Sequence, residues 1–107
     1  MKLKVILSPD SLDDLFEIYK YVFFNDSKSA AITLTEKLQT KCFELEHFAE
    51  RGHKIPELDN FNIEEFLEVN VGHYRIIYRI IKKEVHIQFV LDGRRDIKKI
   101  LEERLLR

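Results

Sequence analysis

The chain has 107 residues, 45% of them hydrophobic and 35% charged, and a net charge of −1. A domain of this size buries roughly two-thirds of its unfolded-chain surface, so one domain over 1–107 is expected. No apolar run approaches the ~20 residues of a membrane span, the start MKLKVILS lacks the features of a signal peptide, and Cys42 is the only cysteine. A cytoplasmic protein is expected, with Cys42 as core filler, no internal disulfide and no cysteine-based metal site.

In chain order, Lys2 to Leu7 alternates and is rich in branched residues, as a short strand does. Ser8-Pro9 then supplies a helix start: the serine can cap, proline suits the first helical position, and Asp10, Asp13 and Asp14 sit where the helix dipole favours negative charge. Leu12, Leu15, Phe16, Tyr19, Val22 and Phe23 follow the spacing of one apolar helical face, ending near Asn25. Asp26 or Ser27 can cap a second helix to about Phe48, with Ala31, Leu34, Leu38, Cys42 and Leu45 on its stripe. The short joint makes the two helices antiparallel neighbours.

From Ala49 to Asn62 the periodicity is lost, and Gly52 and Pro56 mark a loop. Three strands follow: Glu65 to Val71, His73 to Ile81, and Val85 to Leu91, the last expected to place Val85, Ile87, Phe89 and Leu91 on one side. Gly72 and Lys82-Lys83 provide tight turns, although Lys-Lys is poor hairpin chemistry. Ile97, Ile100, Leu101 and Leu105 form a short amphipathic helix behind Asp96 as cap. The expected fold is α+β: an N-terminal strand, an antiparallel helical hairpin packed on an antiparallel sheet with a three-strand meander, and a short C-terminal helix.

Charge is divided along the chain, −6 over residues 1–72 and +5 over 73–107, which suits an anionic partner for the second part. Arg75 and Arg79 share one side of their strand, and a hairpin would bring Arg75 near Arg94 and Arg95. Three guanidinium groups would then suit a nucleic-acid backbone, a transition-state phosphate or an acidic segment. Equally, Arg94 and Arg95 could pair with Glu64, Glu65 or Glu68 and only solvate the surface. His47, His53, His73 and His86 form no close pair of the zinc kind, and no Gly-rich phosphate loop exists, so neither metal nor cofactor is expected. A metal-free ribonuclease needs a base and an acid besides its cation, and these would have to come from His73, His86, Tyr74, Tyr78 or a carboxylate.

The stretch NVGHYRIIYRIIKKEVHIQFVLDGRRDIKKILEERL, with DSLDDLFEIYKYV before it, resembles the RelE/ParE superfamily of toxins from bacterial type II toxin–antitoxin modules. The resemblance lies in YRIIY followed by a hairpin and GRRD, with Leu91-Asp92 where a histidine more usually precedes the glycine. It implies one of two activities, a RelE-like ribosome-dependent messenger RNA endonuclease or a ParE-like toxin that inhibits DNA gyrase without cleaving bonds itself. By this resemblance the RelE-type arginines match Arg75 and Arg95, whereas the lysines of the preceding strand fall on Phe66 and Glu68 and the tyrosine of the last helix on Leu101. The pattern is closer to ParE. It implies a cognate antitoxin wrapping the helical hairpin and sheet, gyrase as target with ribosome and messenger RNA as the alternative, and operator DNA bound only through the antitoxin. A module that only binds antitoxin, without toxicity, is the third reading. Arg75, Arg79, Arg94, Arg95 and Lys98 are the expected contacts for target or antitoxin, and Arg75, Arg95, His73 and His86 the set a ribonuclease would use.

Overall fold

The computed structural model describes residues 2–106. Strand β1 (Lys4–Leu7) leads into helices α1 (Pro9–Asn25) and α2 (Lys28–Phe48). The connection that follows contains a 3-10 turn at Ala49–Arg51, a two-residue strand β2 (His53–Lys54) and a 3-10 helix at Pro56–Phe61. Strands β3 (Phe66–Val71), β4 (Tyr74–Ile81) and β5 (Glu84–Asp92) then form the meander, and α3 (Ile97–Leu105) closes the chain. The sheet order is β1-β5-β4-β3-β2. The architecture is the expected α+β layering, but the sheet is mixed, because β1 runs parallel to β5 while every other pair is antiparallel.

Each helix starts where its cap places it. Ser8 Oγ accepts from Ser11 N–H at 3.0 Å, Ser27 Oγ from Ala30 N–H at 3.0 Å, and Asp96 Oδ1 from Lys99 N–H at 3.2 Å. Each bond satisfies one backbone donor that the first helical turn leaves without a partner. The inward stripe of α2 is the expected one, with Ala31, Leu38, Cys42 and Leu45 buried against the sheet. Burial pushes the Cys42 thiol up to about 12, so it stays protonated and inert at neutral pH.

Helix α1 departs from its expected face. Ser11 and Asp14 are buried beside Leu15, whereas Leu12 and Phe16 are 54% and 59% exposed. The polar pair is inside because each has backbone work to do. Ser11 Oγ donates to Ser8 O at 2.8 Å, and Asp14 Oδ2 accepts from Val90 N–H at 3.0 Å. With those positions fixed, the 3.6-residue period turns Leu12 and Phe16 outward.

A bulge in β5 corrects a second expectation. Ile77 pairs with Phe89 but Tyr78 with Ile87, so Gln88 is left opposite no residue and the alternation reverses there. Val85, Ile87 and Val90 pack under the helical hairpin, while Phe89 and Leu91 join Ile77, Phe66, Ile97 and Leu101 in a second core on the other face. The four residues predicted to share one side are therefore divided between two layers.

The same place lies beyond the end of β1, where β5 has β4 on one side and no strand on the other. Ser8 N–H donates to Ile87 O at 2.9 Å, Ser8 Oγ–H to Gln88 O at 2.8 Å, and Asp14 takes the Val90 N–H. The start of α1 thus satisfies the edge groups that a longer β1 would have paired. Arg104 of α3 reaches both Asp14 oxygens at 2.8 Å, tying the third helix to the first.

The β4–β5 turn is tight but chemically awkward, as Lys82 adopts φ +57° where Gly72 does the same at the β3–β4 turn. Replacing Lys82 by glycine removes the left-handed penalty of a Cβ-bearing residue. Lys82→Gly should stabilise the fold by about 0.5–1 kcal/mol, after allowance for the looser unfolded chain. Urea unfolding checks this, and an unchanged or lower midpoint would contradict it.

Candidate functional site

Arg75 and Gly93 lie close together, as the hairpin register requires, because Arg75 pairs with Leu91 and Gly93 N–H donates to His73 O at 2.7 Å. A Cβ on Gly93 would stand 2.6 Å from His73 O and 3.2 Å from Arg75 Cδ, so glycine is needed there for close approach. The guanidinium, however, points away from the other arginines. Arg75 Nε donates to Glu68 Oε1 at 2.6 Å and Nη2 to Glu68 Oε2 at 2.8 Å, while Nη1 and Nη2 each donate to Glu57 at 2.7 Å. Two carboxylates hold it bidentately, and Glu68 is only 2% exposed. Arg75 fastens the 3-10 helix Pro56–Phe61 to β3 and β4.

Hydrogen bonds from Arg75 hold the Glu57 carboxyl below its ordinary value of 4.5. A carboxyl lowered on folding adds stability that is complete above about pH 4.5 and is lost as pH falls through the folded value. Stability of the native chain should therefore fall more steeply below pH 4.5 than that of Glu57→Gln, read as urea midpoint against pH. Parallel profiles would contradict the clasp. His53 borders the same cluster, 3.1 Å from Asn70 Oδ1 and 3.8 Å from Glu68, and its pKa is raised first by the Lys54 carbonyl and then by Asn70.

Arg94 and Arg95 occupy the corner between β5 and α3. Arg94 folds back on Asp92, donating from Nε at 3.1 Å and Nη2 at 2.8 Å, with its backbone N–H on the same carboxylate at 2.9 Å. The Arg95 side chain has no ion-pair or hydrogen-bond partner among the described residues. It lines a cleft of about 480 Å³ with Asp14, Glu17, Ile18, Tyr21 and Tyr74, on the α1 side of the sheet. The expected cluster of three arginines is therefore not formed. β4 alternation sends Tyr74 to the helical side and Arg75 to the opposite one, and the free cation lies with Tyr74.

The remaining candidates are dispersed. Arg79 shares the Arg75 face and stands 5.6 Å over the Phe66 ring, its Nε buried without a protein partner. His86 lies opposite Arg79, with Nε2 3.1 Å from Glu84. His73 stacks on Tyr74 at the other end of the hairpin, 3.7 Å from Asp92. The rows containing Arg75 and His86 are four β4 positions apart, roughly 13 Å. Lys98 is exposed on α3. Leu101 and Phe66, which the resemblance aligns with a tyrosine and a lysine, are packed in the second core, and Glu68, aligned with the other lysine, holds Arg75. Arg75, Arg95, His73 and His86 are therefore not gathered into one ribonuclease-like site, since His86 lies at the far end of β4 and Arg95 on the opposite face of the sheet from Arg75.

Two features escaped the sequence reading. Glu57 lies in the long connection read as a loop, and it gains its role only from the 3-10 helix Pro56–Phe61 that places it against Arg75. Leu12 and Phe16, expected on the inward apolar face of α1, are 54% and 59% exposed, and Tyr21 and Phe24, outside that expected face, are 60% and 79% exposed. Buried polar residues at Ser11 and Asp14 could have signalled the rotation only if the β5 bulge had been foreseen. Among the described residues no group of three or more His, Cys, Asp or Glu is placed to hold a metal, and no helix is long and apolar enough to cross a membrane.

Comparison with known proteins bears on this geometry. Residues 5–97 match the family model described as the ParE toxin of the type II toxin–antitoxin system parDE. No curated protein sequence matches the chain significantly. A solved structure titled the chromosomal ParDE TA system from P. aeruginosa superposes with a TM-score of 0.70 at 14% identity, covering 83% of this chain and 94% of that one. That likeness bears on the fold, and the family match covers most of the sequence. This chain belongs to the ParE toxin family of type II toxin–antitoxin systems.

Proposed function

We propose that the chain acts on DNA gyrase as a toxin without cleaving RNA, and that a cognate antitoxin neutralises it by covering the outward face of α1. The observation that carries the non-nuclease reading is the Arg75 clasp. A guanidinium already engaged by Glu57 and Glu68 has little capacity left for a developing phosphorane charge. His53, which borders the clasp, is engaged by Asn70 and the Lys54 carbonyl, and Leu101 offers a hydrocarbon where an acid would be needed.

The antitoxin reading is supported by Leu12, Phe16 and Phe24, large apolar groups exposed along one helix, as in helix-and-groove recognition. Arg94, Arg95 and Lys98 at the β5–α3 corner are the basic contacts we assign to antitoxin or target, with Arg75 and Arg79 supporting the sheet beneath. Operator DNA would be bound by the antitoxin.

Induced expression tests the proposal in cells. Growth arrest with a DNA-damage response and gyrase–DNA adducts is expected, relieved by co-expressing a cognate antitoxin from a neighbouring gene. Prompt cleavage of messenger RNA at ribosomes with intact DNA would overturn the gyrase reading. Arrest that no neighbouring product relieves would overturn the antitoxin reading.

A further inference from the structure

The cleft between α1 and the end of the β4–β5 hairpin has the properties of a single-carboxylate receptor. Every carboxylate on its wall already has a cation: Asp14 is paired with Arg104 at 2.8 Å, Asp92 with Arg94 at 2.8 Å, and Glu17 with Lys20 at 2.8 Å. Arg95 is the cation left over. Tyr74 lines the same cleft; the residue is 6% exposed and its hydroxyl has no hydrogen bond within the described residues. Burial raises the Tyr74 pKa above its ordinary value of 10, so the hydroxyl is a donor at neutral pH. Ile18 and Val90 supply an apolar wall, and Tyr21, 60% exposed, forms part of the rim.

We infer that this cleft binds one Asp or Glu side chain of a partner peptide whose flanking residues are apolar, with Arg95 as the ion-pairing group and Tyr74 as a neutral donor. A guanidinium and a phenol lining one cleft suit a planar carboxylate. The surroundings argue against a nucleic-acid strand, which carries a charge for roughly every 3.4 Å of its axis. Such a strand would run against Glu17 and against Asp10 and Asp13, which lie close enough to act on Arg104. A lone carboxylate on an apolar segment meets Arg95 without that repulsion, and its neighbours meet Ile18, Val90 and the exposed Tyr21. The partner's identity as antitoxin rests on the function proposed above; the chemistry of the cleft does not.

The test uses the full chain labelled for NMR and titrated with acetyl-Leu-Glu-Leu-amide or its glutamine counterpart. The glutamate peptide should move the Arg95 Nε–H and the Val90 and Asp92 amide signals, saturating in the millimolar range expected of one ion pair with little apolar area. The glutamine peptide should bind at least about tenfold more weakly. Arg95→Gln should abolish the response and Arg95→Lys should weaken it several-fold, since the ammonium keeps the charge but lacks the fork. Arg95 is exposed, so unchanged spectra elsewhere verify that both variants fold. Equal binding of the two peptides, an unaltered response in Arg95→Gln, or larger Arg95 shifts with short single-stranded DNA would each overturn the inference. Failure of a neighbouring gene product to form a complex would sink the antitoxin reading and leave this result standing. Conversely, a complex that forms equally well with Arg95→Gln would sink the cleft assignment alone.

Discussion

Asp14→Ala should be the most damaging single substitution outside the apolar cores, lowering unfolding free energy by about 3–5 kcal/mol. The side chain has two duties at once. It accepts the Val90 N–H on the stretch of β5 that β1 does not reach, and it holds both ends of the Arg104 fork. Alanine leaves a buried donor without an acceptor, costing about 1–3 kcal/mol, and leaves the cation next to Phe89 without its counter-charge. Asp14→Asn should lie between the two, because its amide oxygen still accepts from Val90 while its nitrogen cannot pair with a guanidinium. Equilibrium urea unfolding of the three proteins checks the order. A loss below about 1 kcal/mol for alanine would show that water or another acceptor serves the β5 edge.

Gly52→Ala should have a comparable effect for a steric reason. A Cβ at Gly52 would overlap the hydroxyl of Tyr78, a side chain with no exposed surface whose O–H donates to Ala49 O at 2.5 Å. Neither group has room to retreat, since the ring is locked between β4 and the helical hairpin. The expected cost is about 2–3 kcal/mol, in the range of overpacked cores. Tyr78→Phe removes the obstructing oxygen, leaving the Ala49 carbonyl unpaired at about 1–2 kcal/mol. In the double variant the closest contact, to the oxygen, is gone and only the ring carbons at 2.8 and 3.0 Å remain, so the combined loss should be smaller than the sum of the two. Strict additivity would contradict the contact.

The meander and both helices of the hairpin were legible because their apolar residues recur at the right period and their ends carry caps. Ser8, Ser27 and Asp96 are local chemistry, and local chemistry survives folding unchanged. What the sequence hid depends on partners far away in the chain. Gln88 looks like any outward strand residue until its pairing with β4 slips, and the slip moves Phe89 and Leu91 to the other core. Asp14 reads as a helix-dipole residue, yet it bonds a strand 76 positions later. From that one contact follow the rotation of α1 and the exposure of Leu12 and Phe16. At the site, strand parity correctly put Arg75 and Arg79 together, and the hairpin brought Arg75 to Gly93. Parity could not reveal which way Arg75 would reach, because Glu57 sits in a connection without periodicity. The resemblance to ParE therefore carried the family, while the fate of each arginine needed three dimensions.

Purified protein offers the most direct test of the non-nuclease, gyrase-directed account. The chain is incubated in parallel with DNA gyrase, plasmid and ATP, and with translating ribosomes on a defined messenger. Gyrase-dependent DNA breakage with an intact messenger is the predicted result, and it should persist in Arg75→Lys if that variant remains folded, since Arg75 is assigned to structure. Messenger cleavage at the ribosome, lost in folded Arg75→Lys, would contradict the account.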